Sequence, residues 1–214
     1  MAAALRKRVA FELGTLALLT PIFLYYVPRG VGLYVGTASL FLCFIALTAR
    51  YTRARIWGAP ASGSLYRLRR STRAMLVLTI PVVIAFFAWS VWMGHHVAYM
   101  NLLLAFCLYL PWAFLQQTIF QFYLLGRLRV LLPLVSPILL AGVNGTAYGL
   151  VHLPDQQLTL LTMIGGIFWS YSYLRDRHIW PLAVSHAVIG STFYYFVNER
   201  DLFGEFLAHL SRMP

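Results

Sequence analysis

AYMNLLLAFCLYLPWAFLQQTIFQFYLL, residues 98–125, runs for 28 positions without one charged side chain. A helix that crosses the hydrocarbon core of a bilayer needs roughly 20 consecutive, mostly apolar residues, so this stretch is long enough with turns to spare. Comparable apolar runs lie on either side of it, at about 10–27, 30–48, 74–94, 136–152, 158–174 and 179–197. Lipid offers backbone N–H and C=O groups no hydrogen-bond partner, so runs of this length and composition must satisfy themselves as helices. The sequence predicts an all-α fold, a polytopic transmembrane helix bundle of about seven spans.

Composition agrees. Hydrophobic residues make up 60% of the 214 positions and charged residues 11%, where a soluble domain carries about 25% charged residues. The formal net charge of +11 is not a nucleic-acid signature, because the basic residues sit in short segments beside the runs. Seven of the 17 are Arg50, Arg53, Arg55, Arg67, Arg69, Arg70 and Arg73, and Arg6, Lys7 and Arg8 precede the first run. Arginine and lysine placed this way mark the cytoplasmic side of a membrane protein and touch anionic lipid headgroups. The expected placement is therefore integral to a plasma (inner) membrane, with the N-terminus and loop 49–73 cytoplasmic. Pro28-Arg29-Gly30 reads as a tight link between the first two runs. Cys43 and Cys107 both fall inside apolar runs and read as free, packed thiols. The organisation expected is a two-span region with its basic loop (1–73), a membrane core (74–198) and an amphipathic interfacial tail (199–214), with Leu202, Phe203, Phe206, Leu207 and Leu210 at helical spacing.

Polar side chains inside such runs are costly and generally face a bundle interior or a wet cavity. Three groups stand out: Gln116, Gln117 and Gln121; His152 with Tyr148 four residues earlier; and His186 in WPLAVSHAVIGST. Residues four apart share a helix face, which pairs Gln117 with Gln121 and Tyr148 with His152. Each group alone would serve as hydrogen-bond glue between helices. Three of them in the last four runs, each flanked by small residues, favour a shared cavity.

These residues resemble the motifs of the CAAX-protease and bacteriocin-processing intramembrane endopeptidases. That family carries Glu-Glu-x-x-x-Arg, then Phe-x-x-x-His, then His-x-x-x-Asn or Asp. Gln116-Gln117-x-x-x-Gln121, followed by Phe122, stands at the first motif. Tyr148-x-x-x-His152-Leu153-Pro154 stands at the second, and Trp180-Pro181-Leu182 leading to Ser185-His186-Ala187 stands at the third. The resemblance covers about residues 98–197 and places a CAAX-protease-like core in the last four runs. It implies hydrolysis of a peptide bond in a membrane-associated or lipidated peptide. By position, Gln116 or Gln117 replaces the water-activating carboxylate, His152 positions water or substrate, and His186 donates to the oxyanion; Tyr148 and Trp180 are candidate substrate contacts.

The departures bear on activity. Both motif glutamates are Gln, the arginine is Gln121, and the final Asn or Asp is Gly190. A neutral amide cannot take a proton near pH 7, and losing one oxyanion donor costs ~2.7–4 kcal/mol in other hydrolases. A Gln trio can instead satisfy itself by amide–amide hydrogen bonds. Of the six carboxylates, Glu12 lies outside the matched region and Asp176, between Arg175 and Arg177, reads as a solvated loop residue. Asp155 reaches His152 only if the helix continues past Pro154. His152 itself can accept a proton while neutral. Two histidines without a third ligand make a weak zinc site, so neither a metal nor another cofactor is expected. The groups converge only if the fifth helix is short, tilted or broken near Pro154. Two functions remain: an endopeptidase whose partners are membrane lipids and a lipidated peptide, or a pseudoenzyme that binds such a peptide or a partner protein without cutting it.

Overall fold

A computed structural model describes residues 2–26, 64–95 and 99–211. The expected second run 30–48, the link 28–30, Cys43 and the first part of the basic loop lie outside these residues. Among the described residues the only regular secondary structure is helical. In order it forms α1 (Ala2–Tyr26), α2 (Ser64–Met93), α3 (Tyr99–Gln117), α4 (Leu125–Leu131), α5 (Pro137–Leu150), α6 (Gln156–Asp176), α7 (Trp180–Thr192) and α8 (Leu202–Leu210). A π-helical segment, Thr118–Leu124, joins α3 to α4, and a second, Phe193–Val197, follows α7. Leu65–Met93 and Met100–Leu131 are long and apolar enough to cross a membrane. Large apolar side chains on α2, among them Val77, Ile84, Val91 and Trp92, are exposed along the helix. A helix apolar all round in this way suits lipid as its surroundings.

The chain divides into two compact units. The first comprises 1–64 and 118–175, the second 65–117 and 176–214. In the first, α5 and α6 pack backbone against backbone. A Cβ built on Gly145 would lie 2.4 Å from the Ile167 amide nitrogen, and one on Gly149 would lie 2.7 Å from the Thr159 carbonyl oxygen. Gly166 answers from α6, where a Cβ would come within 3.0 Å of the Gly145 Cα. Small residues at such spacing allow membrane helices to approach closely. α5 starts cleanly because the Ser136 hydroxyl accepts the Leu139 N–H at 3.3 Å and Pro137 occupies the first turn. It is only 14 residues long, about 21 Å at 1.5 Å per residue, so the fifth helix is short.

α1 is held to the first unit by charge. Arg127 Nε donates to Glu12 Oε2 at 3.0 Å, the Tyr123 hydroxyl donates to the same oxygen at 3.3 Å, and the guanidinium lies 4.7 Å from the centre of the Tyr123 ring. The Arg127 side chain is 2% exposed and that of Glu12 11%.

In the second unit α3 packs along α7. The Thr79 and Ser185 hydroxyls are hydrogen-bonded at 2.8 Å between α2 and α7. Beside them runs an apolar groove of about 570 Å³ lined by residues such as Met75, Ile80, Val83, Val184 and Val188. Asp201 fixes the start of α8: its carboxylate accepts from the Tyr195 hydroxyl, from Asn101 Nδ2 at 2.7 Å and from the Gly204 N–H at 2.9 Å. Burial pushes the Asp201 carboxyl up, but these donors together outweigh it and hold the group below its ordinary value.

Several expectations are corrected. α2 begins at Ser64, so Arg67, Arg69, Arg70 and Arg73 belong to a helix and not to a loop. Past Gly63 nothing breaks the chain, and Leu, Arg and Met favour helix. Asp176 is not solvated: it is 1% exposed and paired with Arg70, whose Nε donates at 2.7 Å. A carboxylate is unfavourable at the C-terminus of a helix, and the arginine offsets that. Cys107 is a free thiol as expected, but it is exposed on α3. The tail does form a helix, α8, with Phe206 and Leu207 exposed.

Candidate functional site

In the first unit the motif residues rest on the glycine-packed pair α5–α6. Asn144, 0% exposed, projects from α5 and donates through Nδ2 to Gln121 Oε1 at 3.2 Å and to Ser170 Oγ at 2.8 Å. The Ser170 hydroxyl in turn donates to the Gly166 carbonyl at 2.5 Å. Gln121 is equally buried and lies in the π-helical segment. Such segments widen the helix by one residue per hydrogen-bonded turn and recur at functional sites. Gln121 Nε2 and Asn144 Oδ1 have no hydrogen-bond partner among the described residues.

Tyr148 and His152 come together as expected. Tyr148 is fully buried, stacked on Phe120 with ring centres 4.2 Å apart, and its ring lies 5.8 Å from that of His152. His152 Nδ1 is 2.9 Å from the Tyr148 carbonyl oxygen and 3.2 Å from Thr162 Oγ1. A carbonyl only accepts, so Nδ1 carries the proton. In the neutral ring Nε2 then holds the lone pair and can accept a proton. α5 ends before His152, and Asp155 is occupied elsewhere: its carboxylate accepts the Leu158 N–H at 2.9 Å, capping α6.

The second unit carries Gln116 and Gln117 at the end of α3, and Trp180, His186 and Gly190 on α7. Trp180 is 61% exposed and lies against Phe114, with ring centres 4.5 Å apart. His186 is buried, and the Tyr109 ring stands perpendicular to it at 5.7 Å. A Cβ on Gly190 would meet Tyr109 at 2.6 Å from Cε1 and 3.1 Å from the hydroxyl oxygen. The tyrosine therefore fills the volume in which a side chain at 190 would begin. Gln117 is fully buried with neither amide atom hydrogen-bonded among the described residues. The trio of glutamines does not satisfy itself: the partner of Gln121 is Asn144, and Gln117 has none.

Asn144, Ser170, Thr162, Tyr109 and the Glu12–Arg127 pair were not singled out from the sequence. Asn144, Thr162, Ser170 and Glu12 carried a signal as polar residues inside apolar runs, and Tyr109 carried none. Among the described residues no three His, Cys, Asp or Glu side chains come together.

No curated protein and no solved structure matches the chain. A family model does: residues 98–192 match that of the type II CAAX prenyl endopeptidase, Rce1-like. The match spans all three motif positions. That family is embedded in membranes and acts on prenylated peptides there, in keeping with two helices able to cross a bilayer. Residues 98–192 of this chain are thus similar to the Rce1-like, type II CAAX prenyl endopeptidase family, consistent with the wider CAAX-protease and bacteriocin-processing group.

Proposed function

We propose that the chain is an intramembrane endopeptidase that hydrolyses a peptide bond in a lipidated, membrane-associated peptide, with His152 taking the role left by the motif carboxylates. The observation that carries this reading is the Nδ1 bond to the Tyr148 carbonyl. It fixes the tautomer that leaves Nε2 as proton acceptor, the state a general base requires. His186 is assigned by motif position as donor to the oxyanion, and Trp180 as a substrate contact. Gln116, Gln117 and Gln121 occupy the first motif without carrying charge. About seven spans, a core at 74–198 and a cytoplasmic N-terminus complete the reading, and the plasma membrane is its expected location.

Gln117 favours the second reading, a pseudoenzyme that binds a membrane peptide without cutting it. Its buried amide has no acid beside it on the motif to supply the missing base.

The full-length protein in lipid nanodiscs, offered a fluorogenic prenylated peptide, decides between them. The endopeptidase cleaves, and His152→Ala and His186→Ala each abolish cleavage. No cleavage by the wild-type chain, or cleavage that survives both substitutions, refutes the proposal. Gln116→Glu with Gln117→Glu separates the readings further, because a pseudoenzyme that lacks only its base gains activity from nothing.

A further inference from the structure

The third motif of this chain ends on glycine, and the space beside it is not empty. Tyr109 reaches it from α3. Its ring lies 2.6 Å from where a Cβ on Gly190 would stand, and its hydroxyl oxygen 3.1 Å. The same ring stands edge-on to His186, one helical turn earlier on α7. Among the described residues no hydrogen bond engages the Tyr109 hydroxyl. The ring also lines a cavity of about 290 Å³ whose wall includes Trp112, Tyr194 and Phe206. Tyr109 is thus among the residues that a ligand in that cavity meets.

We propose that the Tyr109 hydroxyl supplies the hydrogen bond that the side chain missing from Gly190 would have made, beside His186, to the carbonyl oxygen of a bound peptide as it gains charge. The inference rests on the hydrolytic reading above. In the step it serves, the water oxygen bonds to the carbonyl carbon and the carbonyl π pair moves onto its oxygen. The water proton leaves to the general base, and Tyr109 keeps its own proton throughout. A phenol suits this role because it is a neutral, single-point donor of the kind found in such sites, and its ring brings apolar bulk where glycine leaves room.

The test uses the full-length protein in nanodiscs, with two probes of one sequence: a prenylated peptide, and its phosphinate analogue, in which a tetrahedral phosphorus replaces the scissile carbonyl. Tyr109→Phe keeps the ring and removes the donor. It is expected to lower kcat about 100-fold with KM within twofold. It should weaken phosphinate binding by a similar factor while leaving binding of the ordinary peptide unchanged. Tyr109→Ala loses activity likewise, and Tyr109→Ala with Gly190→Asn regains at least tenfold of it, because the asparagine now has both room and a function. A merely structural tyrosine would not produce that rescue or the split between the two probes.

Tyr109→Phe with kcat and phosphinate affinity within twofold of wild type overturns the inference while leaving hydrolysis standing. A wild-type chain that cleaves nothing, yet binds the phosphinate in a Tyr109-dependent way, overturns the hydrolytic reading and supports only the hydroxyl as a donor to a bound tetrahedral group. Neither cleavage nor phosphinate binding overturns both.

Discussion

Gly145→Ala tests the contact that holds the first unit's motif residues in place. The added methyl would sit 2.4 Å from both the amide nitrogen and Cγ1 of Ile167, and 2.8 Å from its Cα. Two of those three atoms are backbone, so no rotamer change relieves the overlap and α5 must move away from α6 by about 1 Å to restore ordinary contact. Overpacking of this kind costs about 1–3 kcal/mol, and here it falls at the upper end. Replacing glycine by alanine inside a helix returns up to about 1 kcal/mol. The net loss is about 2 kcal/mol, or roughly 4–8 °C in thermal midpoint for a chain of this size. Gly142, on the same helix, is the internal control: a Cβ there meets nothing within 4 Å, so Gly142→Ala should leave the midpoint unchanged or raise it. Both are measured by tryptophan fluorescence during heating in one detergent. Equal midpoints for the two variants would refute the close packing of α5 on α6, and with it the account of how Asn144 and His152 are positioned.

Two further predictions concern charge. Glu12→Ala strands the buried Arg127 guanidinium and should cost about 3 kcal/mol, while the double variant Glu12→Leu, Arg127→Met should recover most of that; chemical unfolding of the three proteins checks the order. Asp201 has a carboxyl held below its ordinary value in the folded state, so its contribution is full above about pH 4 and fades as pH falls through the depressed value. Protection factors of the α8 amides, corrected for the intrinsic pH dependence of exchange, should therefore fall between pH 5 and pH 3 in the wild type, and Asp201→Asn should be poorly protected at both; an α8 equally protected at pH 3 and pH 5 in the wild type would count against the role of Asp201 at the start of α8.

Helix positions and motif spacing could be read from residues 98–197 because lipid leaves so few options: a run of apolar residues must be a helix, and a polar residue within it must have a purpose. Tyr148, His152, Trp180 and His186 all lie in the helices or turns their spacing implied. What escaped was of three kinds. The π-helical turn around Gln121 has no marker in a stretch as uniform as TIFQFYL. Asp176 looked like a loop residue because its neighbours are arginines, yet its partner is Arg70, 106 positions away. Tyr109 was hidden by chemistry of its own: inside an apolar run an aromatic residue reads as packing, and only the glycine it fills, 81 positions later (190 − 109), gives it meaning.

The Glu12–Arg127 pair sets an order of events during synthesis. Its members are 115 residues apart, and at about 5–20 residues per second the ribosome releases Arg127 roughly 6–23 s after Glu12. Through that interval α1 has to keep an acidic side chain without its final partner. Arg8, one turn earlier on the same helix and 3.7 Å from the carboxylate in the folded chain, is the cation already made by then. The first helix thus carries a counter-charge of its own, and the Glu12–Arg127 pair can close only once α4 has been made.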